Sequence, residues 1–258
     1  MVRRLVALRR RTCVAAIALA ALAGLAPLAA RAGEVHVAVA ANFTEAAKEV
    51  AGRFETASGH RAILSFGSTG QLYAQISHAA PFEVFLAADP VRPRMAVEAG
   101  LAVPGSQVTY ATGRIVLFSP DRALVTGEAT LREGRFARLA IANPATAPYG
   151  AAAVEVLQAL GVHETLRERL VQGNNIAQAY QFVATGNAEL GFVALSQVVG
   201  HDRGSRWIVP FELYRPIAQD AVLLRPGAGN TAAVAFMAFL QGPEARAVNR
   251  KYGYGAGD

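Results

Sequence analysis

Four short runs of small polar residues hold the chemical potential of this chain: Ala41-Asn42-Phe43-Thr44, Gly67-Ser68-Thr69-Gly70, Pro148-Tyr149-Gly150 and Asn174-Asn175-Ile176. Each follows an apolar run that reads as a strand and opens a pattern that reads as a helix. The first backbone N–H groups of a helix have no acceptor within it, and the aligned peptide dipoles put partial positive charge there. Such a loop can hold an anion without any charged side chain. None of the four runs contains Asp, Glu, Lys or Arg. A fully deprotonated oxyanion can only accept hydrogen bonds, so N–H and O–H donors suit it and a carboxylate would repel it. Neutral donors also avoid burying an unpaired cation when the site is empty.

Taken singly, each run has a plainer reading. Asn42 reads as the N-cap of its helix, Ser68 or Thr69 as a cap, Tyr149 as a half-buried aromatic at a helix start, and Asn174-Asn175 as a turn. Their recurrence at equivalent places in successive units points instead to one shared anion site.

The elements that must position these runs follow from the apolar spacing. Val35 to Ala40 reads as a buried strand, and Thr44 to Ala57 as a helix with Ala46, Ala47, Val50, Ala51 and Phe54 on one face. The unit repeats as strand Ala62 to Phe66 with helix Leu72 to Ala79, then strand Phe82 to Ala87 with helix Arg94 to Ala99 opened by Asp89-Pro90. Further on, Arg114 to Ser119, Leu139 to Ala142 and Leu190 to Leu195 read as strands. Tyr149 to Leu160 and Ile176 to Thr185 read as helices, and Leu166 to Val171 as a helix running into a strand edge. Tyr214 to Leu224 is extended, and Ala232 to Leu240 and Pro243 to Tyr252 are helical. Strand–helix alternation predicts an α/β fold of mixed, mainly parallel sheets. We expect two lobes, 33–112 plus 217–258 and 113–216, joined by extended crossings near Thr109 to Gly113 and Pro216 to Asp220. Ligands of such folds sit at the carboxyl ends of parallel strands, where all four polar runs fall.

Residues 1–32 read as a secretory signal peptide. Arg3, Arg4, Arg9, Arg10 and Arg11 precede the apolar run Cys13 to Leu28, and Ala30-Arg31-Ala32 fits cleavage after Ala32. The segment holds six of the 25 basic residues and none of the 19 acidic ones, so the remaining 226 residues balance 19 against 19. The basic character of the whole chain is therefore no sign of nucleic-acid binding. The single cysteine, Cys13, also lies in this segment, and the remaining chain has no disulfide or thiolate chemistry.

Other chemistries find no support. The five histidines show no HExxH or paired spacing, and no G-x-S-x-G, P-loop or G-x-G-x-x-G occurs. Asp89 and Glu83 read as cap and edge residues, and Phe182, Phe192, Phe211 and Trp207 as core. Nothing in the chain requires an enzyme.

The segments Val37-Ala38-Val39-Ala40-Ala41-Asn42-Phe43, Ser65-Phe66-Gly67-Ser68-Thr69-Gly70, Phe85-Leu86-Ala87-Ala88-Asp89, Ile141-Ala142-Asn143-Pro144, Ala147-Pro148-Tyr149-Gly150 and Leu190-Gly191-Phe192-Val193-Ala194 occur in this order over nearly the whole chain. Together they resemble the periplasmic molybdate-binding proteins of molybdate ABC transporters, of the type II periplasmic-binding-protein family. The resemblance implies a two-lobed periplasmic monomer without cofactor or nucleic-acid partner, which closes on molybdate or tungstate and presents it to a membrane permease. It implies that Asn42, Thr69, Tyr149 and Ile176 contact the oxyanion, Ile176 through its backbone N–H. Where one branch of that family places a tyrosine after the Leu-Gly-x-Val strand, this chain has Ala194.

Overall fold

The structure, a computed structural model, describes residues 32–200 and 202–255. The expected signal peptide, apart from Ala32, lies outside the described residues. Strand β1 (Glu34–Ala40) runs through a single 3-10 turn, Ala41–Phe43, into α1 (Thr44–Ser58). The next units are β2 (Arg61–Gly67) with α2 (Thr69–Ser77) and β3 (Val84–Leu86) with α3 (Val91–Glu98), followed by β4 (Val108–Gly113). The chain continues through β5 (Ile115–Ser119), α4 (Ala129–Glu133), β6 (Leu139–Ala142), α5 (Pro148–Ala159), α6 (His163–Leu166) and β7 (Leu170–Gly173). Then come α7 (Ile176–Ala184), β8 (Leu190–Ala194), α8 (Leu195–Val198), β9 (Ser205–Ile208), β10 (Ile217–Leu223), α9 (Thr231–Leu240) and α10 (Pro243–Lys251).

Two five-stranded sheets result, in the orders β2-β1-β3-β10-β4 and β7-β6-β8-β5-β9. In the first, β1 pairs in parallel with β2 and β3; in the second, β6 pairs in parallel with β7 and β8. The other pairings, β10 with β3 and β4 and β5 with β8 and β9, are antiparallel. The parallel pairings come from strand–helix–strand units, which return each strand in the same direction. They make half of each mixed sheet, because β10 and β5 enter from the other sheet without such a crossover. The register Ile217↔Gly113 sets the two crossings side by side.

Each sheet buries its own apolar cluster. Val37, Val39, Phe43 and Phe54 meet Phe236 and Val248 over the first sheet, with Phe54 edge-on to Phe236 at 5.1 Å. Ile115, Leu117, Leu139, Ile141, Val156 and Phe192 form the core of the second. Ala40 at the end of β1, with Ala41 and Ala88 from the loops after β1 and β3, packs into that second cluster. Among the described residues no helix is long and apolar enough to cross a membrane.

Several expectations need correction. Helix α3 starts at Val91 rather than Arg94, since Asp89 Oδ1 accepts from Arg92 N at 2.8 Å and Pro93 falls in the first turn, where a missing N–H costs nothing. Helix α2 starts at Thr69 because Ser68 and Gln71 close a capping box. Leu166 to Val171 divides into the end of α6, a 3-10 turn and the start of β7. Phe211 is not core: it is 41% exposed, with the Arg114 guanidinium 4.8 Å from its ring centroid. Phe192 is buried, while Phe182 and Trp207 are only partly so.

Candidate anion-binding site

All four candidate residues line one small cavity. Asn42 sits in the 3-10 turn after β1, Thr69 is the first residue of α2, Tyr149 the second of α5 and Ile176 the first of α7. Four helical N-termini thus converge on one space. The backbone N–H groups of these first-turn residues have no acceptor inside their own helices and form the donor set. Twelve residues line the cavity, Ala88 and Asn175 among them, and none carries a formal charge. What the cavity offers is aligned dipoles and neutral donors.

The side chains refine each role. Thr69 is 1% exposed, and its Oγ1 accepts from Ala88 N at 3.0 Å, which leaves its own proton for donation. Asn175 caps α7, accepting from Gln178 N at 3.0 Å, and so frames the free amide of Ile176. Tyr149 follows Pro148 at the first helical position, whose missing N–H is no loss there. Its ring is buried, and its hydroxyl oxygen accepts from Gln219 Nε2 at 3.2 Å.

Asn42 departs from the capping expectation: no side chain caps the Ala41–Phe43 turn or α1. Its side-chain amide instead donates to Gln219 Oε1 at 3.0 Å and to the Tyr254 hydroxyl at 3.2 Å, and its backbone carbonyl accepts from Ser196 Oγ at 2.8 Å. Gln219, Tyr110, Tyr254 and Ser196 were not anticipated as part of the site. Their bonds to Asn42, Tyr149 and each other join residues far apart in sequence, which local spacing cannot register. The available signal was Gln219-Asp220, two adjacent polar residues inside an otherwise apolar strand.

The phenols near the site stay neutral. Burial pushes the Tyr110 and Tyr149 hydroxyls well above their ordinary value of 10.0, with neighbouring phenols adding to it, and burial likewise raises Tyr254. No phenolate therefore opposes an anion at neutral pH. A group whose folded pKa is raised contributes stability below its unfolded value and loses it as pH rises. Thermal stability is expected to be level through neutral pH and to fall above about 10, as tyrosines of the unfolded chain ionise. Melting curves unchanged up to pH 11 would contradict this.

A wider cleft opens beside the cavity, lined by Asp89, Arg92, Glu155 and Arg215 among others. Its two arginines are matched by carboxylates: Arg92 Nη1 lies 2.6 Å from Asp89 Oδ2, and Arg215 Nε donates to Glu155 Oε1 at 2.8 Å. Those carboxylates disfavour an anion, whereas the smaller cavity has no charged lining residue. Two hydrogen bonds join residues that line the wider cleft. Gly70 N donates to Thr146 O at 2.8 Å, and Arg92 Nη2 to Ala145 O at 3.1 Å.

Residues 35–255 match the family described as bacterial extracellular solute-binding protein. The chain is 56% identical to the molybdate-binding protein ModA of Rhodobacter capsulatus, over 93% of this chain and 94% of that protein. It is 54% identical to the molybdate-binding protein ModA of Azotobacter vinelandii, over 90% and 94%. The solved structure of an Azotobacter vinelandii periplasmic molybdate-binding protein superposes with a TM-score of 0.84 at 39% identity, covering 87% of this chain and all of that one. The chain therefore belongs to the bacterial extracellular solute-binding protein family, beside its molybdate-binding members and among binding proteins rather than enzymes.

Proposed function

We propose that this protein captures molybdate, and tungstate with it, in the cavity formed by the four helical N-termini and delivers it to the permease of an ABC transporter. The observation that carries this reading is a buried cavity walled by neutral donors, with no charged residue on any wall. A fully deprotonated tetrahedral dianion needs donors on every side. Hydrogen phosphate carries a proton that needs an acceptor, and no carboxylate is there to take it. The relatives' names agree with this ligand class. Asn42, Thr69, Tyr149 and Ile176 are the contacts, and no cofactor takes part. Calorimetric titration with molybdate, tungstate, sulfate and phosphate tests it: tight binding of the first two and weak binding of phosphate is expected. Preference for sulfate or phosphate would replace the reading.

The protein works as a periplasmic monomer after cleavage behind Ala32. Mass spectrometry of the periplasmic form should find Gly33 at its N-terminus, and a cytosolic full-length chain would refute export. Segments 33–112 plus 217–258 and 113–216 act as two lobes that close on the ligand, because only the closed state makes all four contacts. Small-angle scattering should report a more compact particle with molybdate than without, and identical curves at saturation would mean a preformed cleft.

Gly70 offers a sharper test of closure. A Cβ placed there lies 3.0 Å from Thr146 Cα and 3.1 Å from Thr146 O, both backbone atoms of the opposing lobe. The branched side chain of Gly70→Val should hold the lobes apart and weaken binding by about tenfold or more, a cost of ~1.4 kcal/mol or above. The unliganded melting temperature should change little, since the clash exists only on closure. Wild-type affinity in this variant would remove Thr146 from the closing surface.

A further inference from the structure

Gln219 does not line the cavity, yet it holds two of the residues that do. It is completely buried on β10, at the point where the β10–β4 register slips between Gln219 and Asp220. Such a bulge inserts one residue and re-aims its neighbours. Here both polar side chains find partners: Asp220 accepts from Gln107 and Thr109, and Gln219 turns toward the site.

The orientation of the Gln219 amide is fixed by what surrounds it. Its Oε1 accepts from Asn42 Nδ2 at 3.0 Å and lies 3.1 Å from the Tyr110 hydroxyl, whose proton it shares with Ala87 O at 3.2 Å. Its Nε2 then donates to the Tyr149 hydroxyl at 3.2 Å. Turning the amide over would set an NH₂ group against the Asn42 NH₂ group. Space for this arrangement depends on Gly113, the partner of Ile217 across the strand pair. A Cβ there would lie 2.1 Å from the Tyr149 hydroxyl and 2.6 Å from Gln219 Nε2.

Asn42 belongs to the loop after β1 in the first sheet, and Tyr149 to α5 on the second. One amide thus ties together two walls of the cavity that come from different halves of the molecule. We propose that Gln219 is a positioning residue for the anion: by holding Asn42 and Tyr149 at once, it sets the separation of the first-turn amides facing each other across the cavity. In the closed arrangement this link holds the donors at the spacing the anion needs, and loosening it lowers affinity without removing any ligand contact.

The inference rests on the oxyanion-binding reading, and the experiment separates the two. Molybdate is titrated calorimetrically into the wild-type chain, Gln219→Met, Tyr149→Phe and the double variant. Methionine keeps the length of glutamine and makes none of its hydrogen bonds. Gln219→Met should bind molybdate roughly five- to a hundredfold more weakly, the range of ordinary site-to-site coupling. Tyr149→Phe, which removes only the hydroxyl that Gln219 holds, should also lose affinity, and the double variant should lose less than the product of the two. A role confined to stability would lower melting temperatures and leave the dissociation constants alone. If Gln219→Met does not fold, Tyr149→Phe and Gly113→Ala carry the same test. Wild-type affinity in the folded variants, or strictly multiplicative losses, would overturn the inference while leaving the functional reading standing. A wild-type chain that binds no oxyanion would overturn both.

Discussion

Asn42→Asp is expected to fold and to lose molybdate affinity by on the order of a hundredfold or more near neutral pH. The substitution keeps the size of the side chain and places a negative charge on the cavity wall. Two unit charges ~4 Å apart at an effective dielectric of ~20 repel by ~4 kcal/mol, and a dianion feels up to about twice that before relaxation. The hydrogen bonds add a second effect. Asn42 Nδ2 is the donor to both Gln219 Oε1 and Tyr254, so an aspartate oxygen there meets Gln219 acceptor to acceptor. The conflict resolves if Gln219 turns its amide over, with the Tyr149 hydroxyl then donating to Oε1 where it had accepted from Nε2. With that turn, Gln219 and Tyr254 can both donate to the new carboxylate, so stability should fall by only about 1–3 kcal/mol. Burial and the nearby dianion both raise the carboxyl pKa, so affinity should recover in part as pH falls while molybdate remains deprotonated. Calorimetry that finds wild-type affinity for the folded variant at pH 7 would take Asn42 out of the site.

The contrast between what local spacing reveals and what it hides is sharpest at this residue. Strand, polar loop and helix start are local patterns, so the loops holding Asn42, Thr69, Tyr149 and Ile176 could be found from residue types alone, as could the alternation that builds two α/β sheets. The partners of the Asn42 side chain are not local. It looked like a helix cap, but its amide is committed to Gln219 and Tyr254, which lie 177 and 212 residues away along the chain. Strand β9 escaped notice because Ser205–Ile208 is a short edge strand with no fully buried residue. Phe211 reads as core because no basic residues are interleaved with the aromatics, whereas Arg114, distant in sequence, covers its ring at the surface. Composition identified the donors and the absence of charge; distances in the fold were needed to say which hydroxyls and amides were already engaged.

Gly150→Ala should damage both stability and binding, although helix propensity alone predicts the reverse. Gly150 is the third residue of α5, where alanine is intrinsically better by ~1 kcal/mol. A Cβ at this position, however, falls 2.2 Å from Ala142 O, 2.7 Å from Ala142 C and 2.9 Å from Asn143 C. All three are backbone atoms at the end of β6, and neither side can yield easily. β6 is paired on both edges, and Asn143 N is tied to Gly173 O at 2.8 Å. The helix start is tied back by Ala147 N to Asn143 O at 2.8 Å. Overpacking of this kind costs about 1–3 kcal/mol, enough to outweigh the propensity gain. The displacement also falls on the turn that presents the Tyr149 amide, so a shift of a few tenths of an ångström is felt directly in the cavity, and affinity should drop by roughly tenfold or more. Gly52, in the middle of α1, has no atom within 4 Å of where its Cβ would be. Gly52→Ala should therefore raise stability by about 0.5–1 kcal/mol and leave binding untouched. Thermal melts and calorimetry on the pair decide the matter: equal gains in stability from both substitutions would mean that β6 and α5 do not approach as closely as the site requires.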